Sequence, residues 1–134
     1  MHSTAYKILP YDKLLRRVKL PPYADDAMEF IKTLPNGKKV VARFAFRPHP
    51  VKDKDGLSVN IMELVKSLNF LFNAVTHLAI FVTSKQCTNL GLTTEHNPLS
   101  NDPDDPLFSH ALIKGLDGRK DLQASLSEKC TIIE

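Results

Sequence analysis

The sequence predicts an α+β domain with a mixed or antiparallel sheet of four to five strands and two to three helices. Segments whose apolar residues alternate are interspersed with segments whose apolar residues recur every three or four positions. The two kinds do not follow one another in the regular order of βαβ units. The length of 134 residues, with 43% hydrophobic and 25% charged side chains, is that of one globular domain, residues 1–134.

The first half contains two predicted strands and a short helix. Residues 14–20, LLRRVKL, place a mainly apolar set on one face (Leu14, Arg16, Val18, Leu20) and a mainly basic set on the other (Leu15, Arg17, Lys19). This indicates an edge or half-buried strand ended by two prolines. A short helix is expected through Met28, Phe30 and Ile31, because Asp25 and Asp26 can serve as its N-caps. Residues 38–47, KKVVARFAFR, place every second apolar side chain on one face and predict the second strand, which Pro48 stops.

The second half begins with a polar turn and a short strand at residues 57–59. Apolar residues spaced by three and four then predict the main helix over residues 60–78. Further along, we expect a buried strand at residues 79–82, a helical turn at residues 84–90 closed by Gly91, a loop at residues 95–106, a strand at residues 108–113 and a terminal helix at residues 117–129.

Positive charge is concentrated in the first half of the chain. Residues 1–60 carry 12 Lys and Arg against 6 Asp and Glu, whereas residues 61–134 carry 6 against 9, so the two halves are +6 and −3. Clustered cations attract phosphates and acidic surfaces. The sequence therefore predicts a binding or regulatory module for an anionic partner, which is a nucleic acid, a nucleotide or an acidic protein. The alternative is a solvated surface whose two halves neutralise each other.

The candidate anion site is a group of arginines and one lysine on the predicted strands. Arg43 and Arg47 are four residues apart on one strand, so both should leave the same face about 13 Å apart. Arg16 on a neighbouring strand would complete a guanidinium cluster. The predicted anion-binding set is Arg16, Arg17, Lys19, Arg43 and Arg47. In the alternative interpretation these stems cover apolar surface and their charges pair with aspartates of the following turn.

A second hypothesis is a small enzyme acting on a nucleotide or a phosphorylated substrate. Here Arg43 and Arg47 hold phosphate, and His110 acts as general acid or base. Ser58 or Asp55 positions the substrate. A histidine among apolar strand neighbours also has a structural interpretation as a satisfied polar residue. A third hypothesis is a subunit that binds no ligand and serves oligomerisation or a protein partner.

No cofactor and no metal are predicted. The chain lacks GxGxxG, P-loop, GxSxG and HExxH patterns, and its histidines and cysteines do not have the spacing of metal ligands. Cys87 and Cys130 are expected to be reduced core thiols. The opening residues lack the apolar region of a signal peptide, and the longest apolar stretch, residues 78–82, is too short to cross a bilayer. A cytoplasmic location without membrane contact is therefore expected.

Several segments together resemble a group of small uncharacterised bacterial proteins. They read LLRR, ARFAFRP, DGLSV and SHALIKG in this order, and they span residues 14–115. The resemblance implies no activity, but it implies that five residues lie together: Arg16, Arg43, Asp55, Ser58 and His110. An arginine strand followed by serine and histidine strands is also loosely similar to NAD-consuming toxin folds of the ADP-ribosyltransferase type. The catalytic glutamate and the aromatic motif of that class are not identifiable in this sequence.

Overall fold

The structure, a computed structural model, describes residues 6–19, 31–49, 51, 53–65, 77–102 and 104–133. Its strands are β1 Lys13–Lys19, β2 Ile31–Thr33, β3 Lys39–Val41, β4 Leu57–Ile61, β5 His77–Thr83, β6 Thr93–His96, β7 His110–Lys114 and β8 Thr131–Ile133. Its α-helices are α1 Ser84–Asn89 and α2 Lys120–Lys129, and short 3-10 helices span Arg43–Phe46, Met62–Leu64 and Pro106–Ser109.

Six of the strands form one antiparallel sheet in the order β6-β7-β4-β1-β5-β8, while β2 and β3 form a separate hairpin. The α+β class is confirmed, but the large sheet has six strands instead of four to five. β1 was expected at an edge or half-buried. It lies near the middle of the sheet, because β4 pairs with it on one side and β5 on the other.

Alternation along the strands gives the sheet two unlike faces. The core face is apolar, and its buried residues belong to one hydrophobic cluster: Leu14, Val18, Leu57, Val59, Ile61, Ile80, Val82, Ala111 and Ile113. Ala45, Phe46 and Leu126 cover this face from the first 3-10 helix and from α2, which pack on each other. The second face carries the intervening residues: Lys13, Leu15 and Arg17 of β1, Ser58 and Asn60 of β4, and His110 and Leu112 of β7.

The predicted strand over residues 38–47 is wrong beyond its first part. β3 covers only Lys39–Val41, and the chain then forms the 3-10 helix Arg43–Phe46. Ala45 and Phe46 have 0% and 1% of their surface exposed, so both neighbours in sequence are buried together. A strand sends neighbouring side chains to opposite faces, whereas a tight helical turn can bury both against α2.

The predicted main helix is also wrong at both ends. Its first residues complete β4 and the 3-10 helix Met62–Leu64, and its last two belong to β5. Residues 66–76 of that prediction lie outside the described residues, as do residues 25–30 of the predicted short helix. Residue Ile31 of that helix begins β2 instead.

The remaining predictions are confirmed with shifted bounds. Extended structure at residues 57–59 and 79–82 corresponds to β4 and β5, and the terminal helix is α2. The predicted strand over residues 108–113 begins only at His110, after a 3-10 helix. Residues 95 and 96 of the predicted loop belong to β6. Gly91 closes α1 with a positive φ of 81°, which suits a residue without a Cβ.

Candidate functional site

The two consecutive arginines of β1 leave the strand on opposite faces. Arg16 lies on the core face, where its Nε donates to the Ala45 carbonyl oxygen at 2.6 Å. Its Nη1 donates to the Ser58 carbonyl oxygen at 2.9 Å. The residue as a whole is half-buried, and desolvation of the guanidinium lowers the pKa of Arg16. The side chain therefore bridges β4 and the 3-10 helix that covers the core face.

This bridge replaces part of the ladder between β1 and β4. The paired residues of these two strands are Leu14 with Ile61 and Leu15 with Asn60, and the pairing stops there. Arg16, the next residue, supplies a side-chain hydrogen bond to β4 instead. The predicted role of Arg16 as an anion ligand does not fit this geometry, because two of its donor groups are already bonded to main-chain carbonyls.

The other face of β1 carries exposed cations. Lys13 and Arg17 are both exposed, and between them Leu15 is buried with 3% of its surface exposed. The Lys13 Nζ lies 4.9 Å from the centre of the Phe81 ring, within the range of a cation–π contact. We call Lys13 and Arg17 the β1 basic face. The side chain of Lys19, which was predicted to join Arg17, lies outside the described part of the structure.

Lys13 was missed as a site residue, although the alternation of β1 places it on the same face as Arg17. The predicted strand begins at residue 14 and so leaves Lys13 out. The β2–β3 hairpin adds three further exposed cations, Lys32, Lys38 and Lys39. Lys38 and Lys39 line a cleft of about 370 Å³ beside the end of α2 and β8, with Cys130 and Ile132.

Arg43 and Arg47 do not form the predicted same-face pair on a strand. Arg43 begins the first 3-10 helix and is half-buried, while Arg47 follows that helix and is exposed. The expected spacing of about 13 Å assumed strand geometry, which this segment does not adopt. Within the described part of the chain, neither side chain has a hydrogen bond or an ion pair. Both remain available as cations, but they are not held in a shared fork.

The aspartates of the first half are mostly engaged in local bonds. Asp12 is buried, and its Oδ2 accepts from the Leu9 N–H at 2.7 Å and from the Tyr6 hydroxyl at 3.1 Å. Burial raises the pKa of Tyr6, and the hydrogen bond and charge of Asp12 raise it further. Asp53 accepts from the His49 N–H at 2.8 Å. Asp55, predicted as a catalytic or positioning residue, is exposed in the turn before β4.

Of the three predicted catalytic residues, the structure brings Ser58 and His110 together on the second face. The His110 Nε2 lies 3.1 Å from the Ser58 Oγ, and its Nδ1 lies 2.8 Å from the Asn97 carbonyl oxygen. A carbonyl only accepts, so the Nδ1 carries the proton of the neutral ring. The Nε2 is then the acceptor, and the Ser58 hydroxyl donates to it.

His110 is bonded to Asn97 through its main chain as well as through its ring. The Asn97 N–H donates to the His110 carbonyl oxygen at 2.9 Å, in the reverse sense to the bond from the Nδ1. Asn97 was missed by the sequence analysis. No sequence signal could have found it, since its contribution is a main-chain carbonyl that every residue possesses.

His96 illustrates a histidine with a structural role. Its Nδ1 accepts from the Tyr6 N–H at 2.7 Å, and its Nε2 donates to the Phe108 carbonyl oxygen at 2.6 Å. Its ring also makes edge contacts with the rings of Tyr6 and Phe108, at centroid distances of 6.2 and 5.0 Å. Both nitrogens therefore bond main-chain groups, which connects the segment before β1 and the 3-10 helix before β7 to β6.

Both cysteines are free, as predicted. Burial raises the pKa of the Cys87 thiol to about 12 and that of the Cys130 thiol to about 11. In the described ranges no group of three or more His, Cys, Asp or Glu side chains could hold a metal ion. The helices of those same ranges include none that is long and apolar enough to cross a membrane.

No protein-family model, no curated protein and no solved structure matches this chain. The resemblance to a small bacterial group therefore stays a prediction. The two features that bear on function are the β1 basic face, together with the other exposed cations of the first half, and the Ser58–His110 pair.

Proposed function

We propose that this protein is a binding or regulatory module for an anionic partner, and that Lys13 and Arg17 of the β1 basic face are its principal contacts. The proposal differs from the sequence prediction in its residues. Arg16 is replaced by Lys13, because the Arg16 guanidinium is bonded to two carbonyls on the core face. Arg47 and the hairpin lysines carry further exposed positive charge elsewhere in the first half.

The observation that carries the proposal is an imbalance of exposed charge. Eight cations of the first half are exposed in the described residues: Lys7, Lys13, Arg17, Lys32, Lys38, Lys39, Arg47 and Lys54. Of the described carboxylates in that half, only Asp55 is exposed. Such a surface raises the local concentration of anions and speeds their association.

The described ion pairs also distinguish the two halves of the chain. Both lie in the second half of the chain, Lys114 with Glu95 at 3.2 Å and Arg119 with Asp121 at 3.1 Å. The hydrogen bond and charge of Asp121 raise the pKa of Arg119, and those of Arg119 lower the pKa of Asp121. Both described pairs therefore join charges within the second half.

Fluorescence anisotropy tests the proposal with three labelled probes: a single-stranded oligonucleotide, a nucleotide and a polyglutamate peptide. We expect Lys13→Gln/Arg17→Gln to weaken binding of the preferred probe by about tenfold at about 50 mM salt. For an oligonucleotide, the slope of log K against log salt should fall by about 1.5, because two phosphate contacts are lost. The three probes distinguish a nucleic acid, a nucleotide and an acidic protein as the natural partner.

The matched control is Lys85→Gln/Lys120→Gln. Both lysines are exposed, and the double change lowers the net charge by the same amount. Both also lie in the first turn of a helix, where a cation is unfavourable to the helix dipole, so their loss should not destabilise the fold. Equal weakening by the two double variants would reduce the effect to net charge and contradict a site on β1. Absence of binding to all three probes at low salt would refute the proposal.

A further inference from the structure

We propose that Ser58 is a nucleophile, activated by His110, which attacks carboxylic esters. This activity goes beyond anion binding and involves different residues. A nucleophile within hydrogen-bond reach of a base, with the base oriented by a third group, is the arrangement that nucleophilic catalysis requires. Here the hydroxyl, the imidazole and the orienting carbonyl are supplied by β4, by β7 and by the segment after β6.

The orientation of His110 is what separates this pair from a chance contact. The Asn97 carbonyl holds the proton on the Nδ1 at 2.8 Å, so the lone pair of the Nε2 faces the Ser58 Oγ at 3.1 Å. This is the tautomer in which the ring can take the hydroxyl proton. By contrast, both nitrogens of His96 are bonded to main-chain groups, so that ring has no free position for a nucleophile.

The reaction balances with water as the only co-reactant. The Ser58 Oγ bonds to the ester carbonyl carbon while its proton moves to the Nε2 of His110. The bond from that carbon to the alcohol oxygen then breaks, and the alcohol leaves with the proton from the Nε2. Water attacks the acyl-serine in the second half, giving its proton to the Nε2. That proton returns to the Ser58 Oγ as the carboxylic acid leaves.

Asn60 provides a donor for the developing oxyanion. It lies directly opposite His110 in the register of β4 and β7, and on the same face as Ser58. Its Nδ2 gives one hydrogen to the Ser109 Oγ at 2.9 Å. The second hydrogen has no acceptor in the described residues and can donate to an oxygen that gains negative charge.

The chemistry favours a carboxylic ester over a phosphoric ester. Phosphoryl transfer spreads charge over several oxygens and needs cations at the reacting group. Arg16 is the guanidinium bonded to the Ser58 main chain, and it lies on the core face. In the described residues the Ser58 hydroxyl contacts His110 and no cation. Acyl transfer, which develops one oxyanion, matches these groups better.

Two probes test the proposal on the full chain: a fluorophosphonate that reacts with nucleophilic serines, and p-nitrophenyl acetate. We expect one covalent fluorophosphonate adduct per chain, mapped to Ser58 by peptide mass spectrometry. With p-nitrophenyl acetate, we expect a burst of about one p-nitrophenolate per chain. Ser58→Ala should abolish both signals, and His110→Gln should slow labelling by about a hundredfold, since general-base help contributes at least that factor.

Ser127→Ala is the matched control, because Ser127 lies on α2 and its hydroxyl donates to the Ala124 carbonyl oxygen. It should label like the unchanged protein, and circular dichroism should show the same fold for each variant. A folded protein that forms no adduct overturns the proposal. An adduct of undiminished rate on Ser58→Ala, or on His110→Gln, overturns it as well. If His110→Gln is unfolded, Ser58→Ala alone decides the outcome, because it deletes one oxygen from a half-buried position.

Discussion

Arg16 and Arg17 are adjacent in β1, yet the structure uses them in opposite ways. The Arg16 guanidinium is desolvated on the core face and bonded to two carbonyls, whereas Arg17 is exposed on the second face beside Lys13. The residue type is the same, and only the alternation of the strand differs. In a basic segment that forms a strand, only every second residue can therefore face a ligand.

The same contrast holds between the packed and the open parts of the molecule. On the core face, two donors of the Arg16 guanidinium bond main-chain carbonyls, and removing the side chain would take this donor from the carbonyls of Ala45 and Ser58. On the exposed side, a solvated charge contributes little to folding. Stability and binding should therefore respond to different members of the arginine pair.

The largest expected effect is the loss of stability in Arg16→Met. The carbonyls of Ala45 and Ser58 lose their charged donor, and we expect the free energy of unfolding to fall by about 3 kcal/mol. Arg17→Met should cost less than about 1 kcal/mol, because that side chain is exposed. Urea unfolding of both variants measures the difference. Equal losses would contradict the assignment of the two arginines to opposite faces.

A second contrast compares Gly56 with Gly37. A Cβ on Gly56 would lie 3.1 Å from both the Ile113 carbonyl oxygen and the Leu112 Cβ, and its φ is +146°. A Cβ on Gly37, with φ +85°, would meet nothing within 4 Å. We expect Gly56→Ala to cost about 2 to 3 kcal/mol and Gly37→Ala about 1 kcal/mol, the strain of the positive φ alone. Thermal and urea unfolding of the two variants decide the order.

The two thiols should be alkylated more slowly than an exposed cysteine, and at different rates from each other. At pH 8 a thiol with a pKa of about 11, such as Cys130, should alkylate about a hundredfold more slowly than one at the ordinary value of 9.0. Cys87, which is buried and whose pKa is about 12, should react more slowly still. Mass spectrometry of timed iodoacetamide reactions measures both rates. Faster alkylation of Cys87 would contradict its burial.

The same shifts set the sign of an alkaline effect on stability. Each folded thiol holds its proton to higher pH than the unfolded thiol, so the stabilisation is complete below about pH 9. It is lost as the pH rises from there through the folded values of about 11 and about 12. The free energy of unfolding should therefore fall in this window, and less steeply in Cys87→Ala than in the unchanged protein.

The smallest expected effect concerns the ion pair of Glu95 and Lys114. Their side chains are 55% and 43% exposed, so solvent screens the attraction. Glu95→Gln should change the free energy of unfolding by less than about 0.5 kcal/mol at moderate salt. A loss above 1 kcal/mol in urea unfolding would show that the exposed ion pairs of the acidic half stabilise the fold. It would contradict the expectation, drawn from β1, that exposed charges contribute little to folding.

The elements that were predicted correctly from the sequence are those whose structure is determined by a single local pattern. β1, β5 and the helix ended by Gly91 follow from alternation, from an apolar run and from a glycine at a positive φ. The resemblance to the small bacterial group also implied that Ser58 and His110 lie together. Their mutual distance of 3.1 Å depends on the pairing of β4 with β7, which no local pattern specifies.

The errors arose where two periods fit the same residues. In KKVVARFAFR the alternating apolar residues satisfy a strand, but Ala45 and Phe46 are buried side by side against α2. Tertiary packing decided between the two, and the arginines of that segment lost their predicted spacing. Arg16 was predicted to bind an anion, because the sequence does not show which main-chain carbonyls lie within reach of its guanidinium.

The central claim is that β1 binds anions with Lys13 and Arg17 on one face and supports the fold with Arg16 on the other. The measurement that tests it most directly is an NMR titration of the isotope-labelled protein with the anionic probe that binds best. We predict that the amide and side-chain shifts of Lys13, Arg17 and Phe81 move with the fraction bound, while the Arg16 Nε signal and the α2 amides stay within the noise. Shifts that centre on Arg16 or on α2, with Lys13 and Arg17 unmoved, would contradict the account.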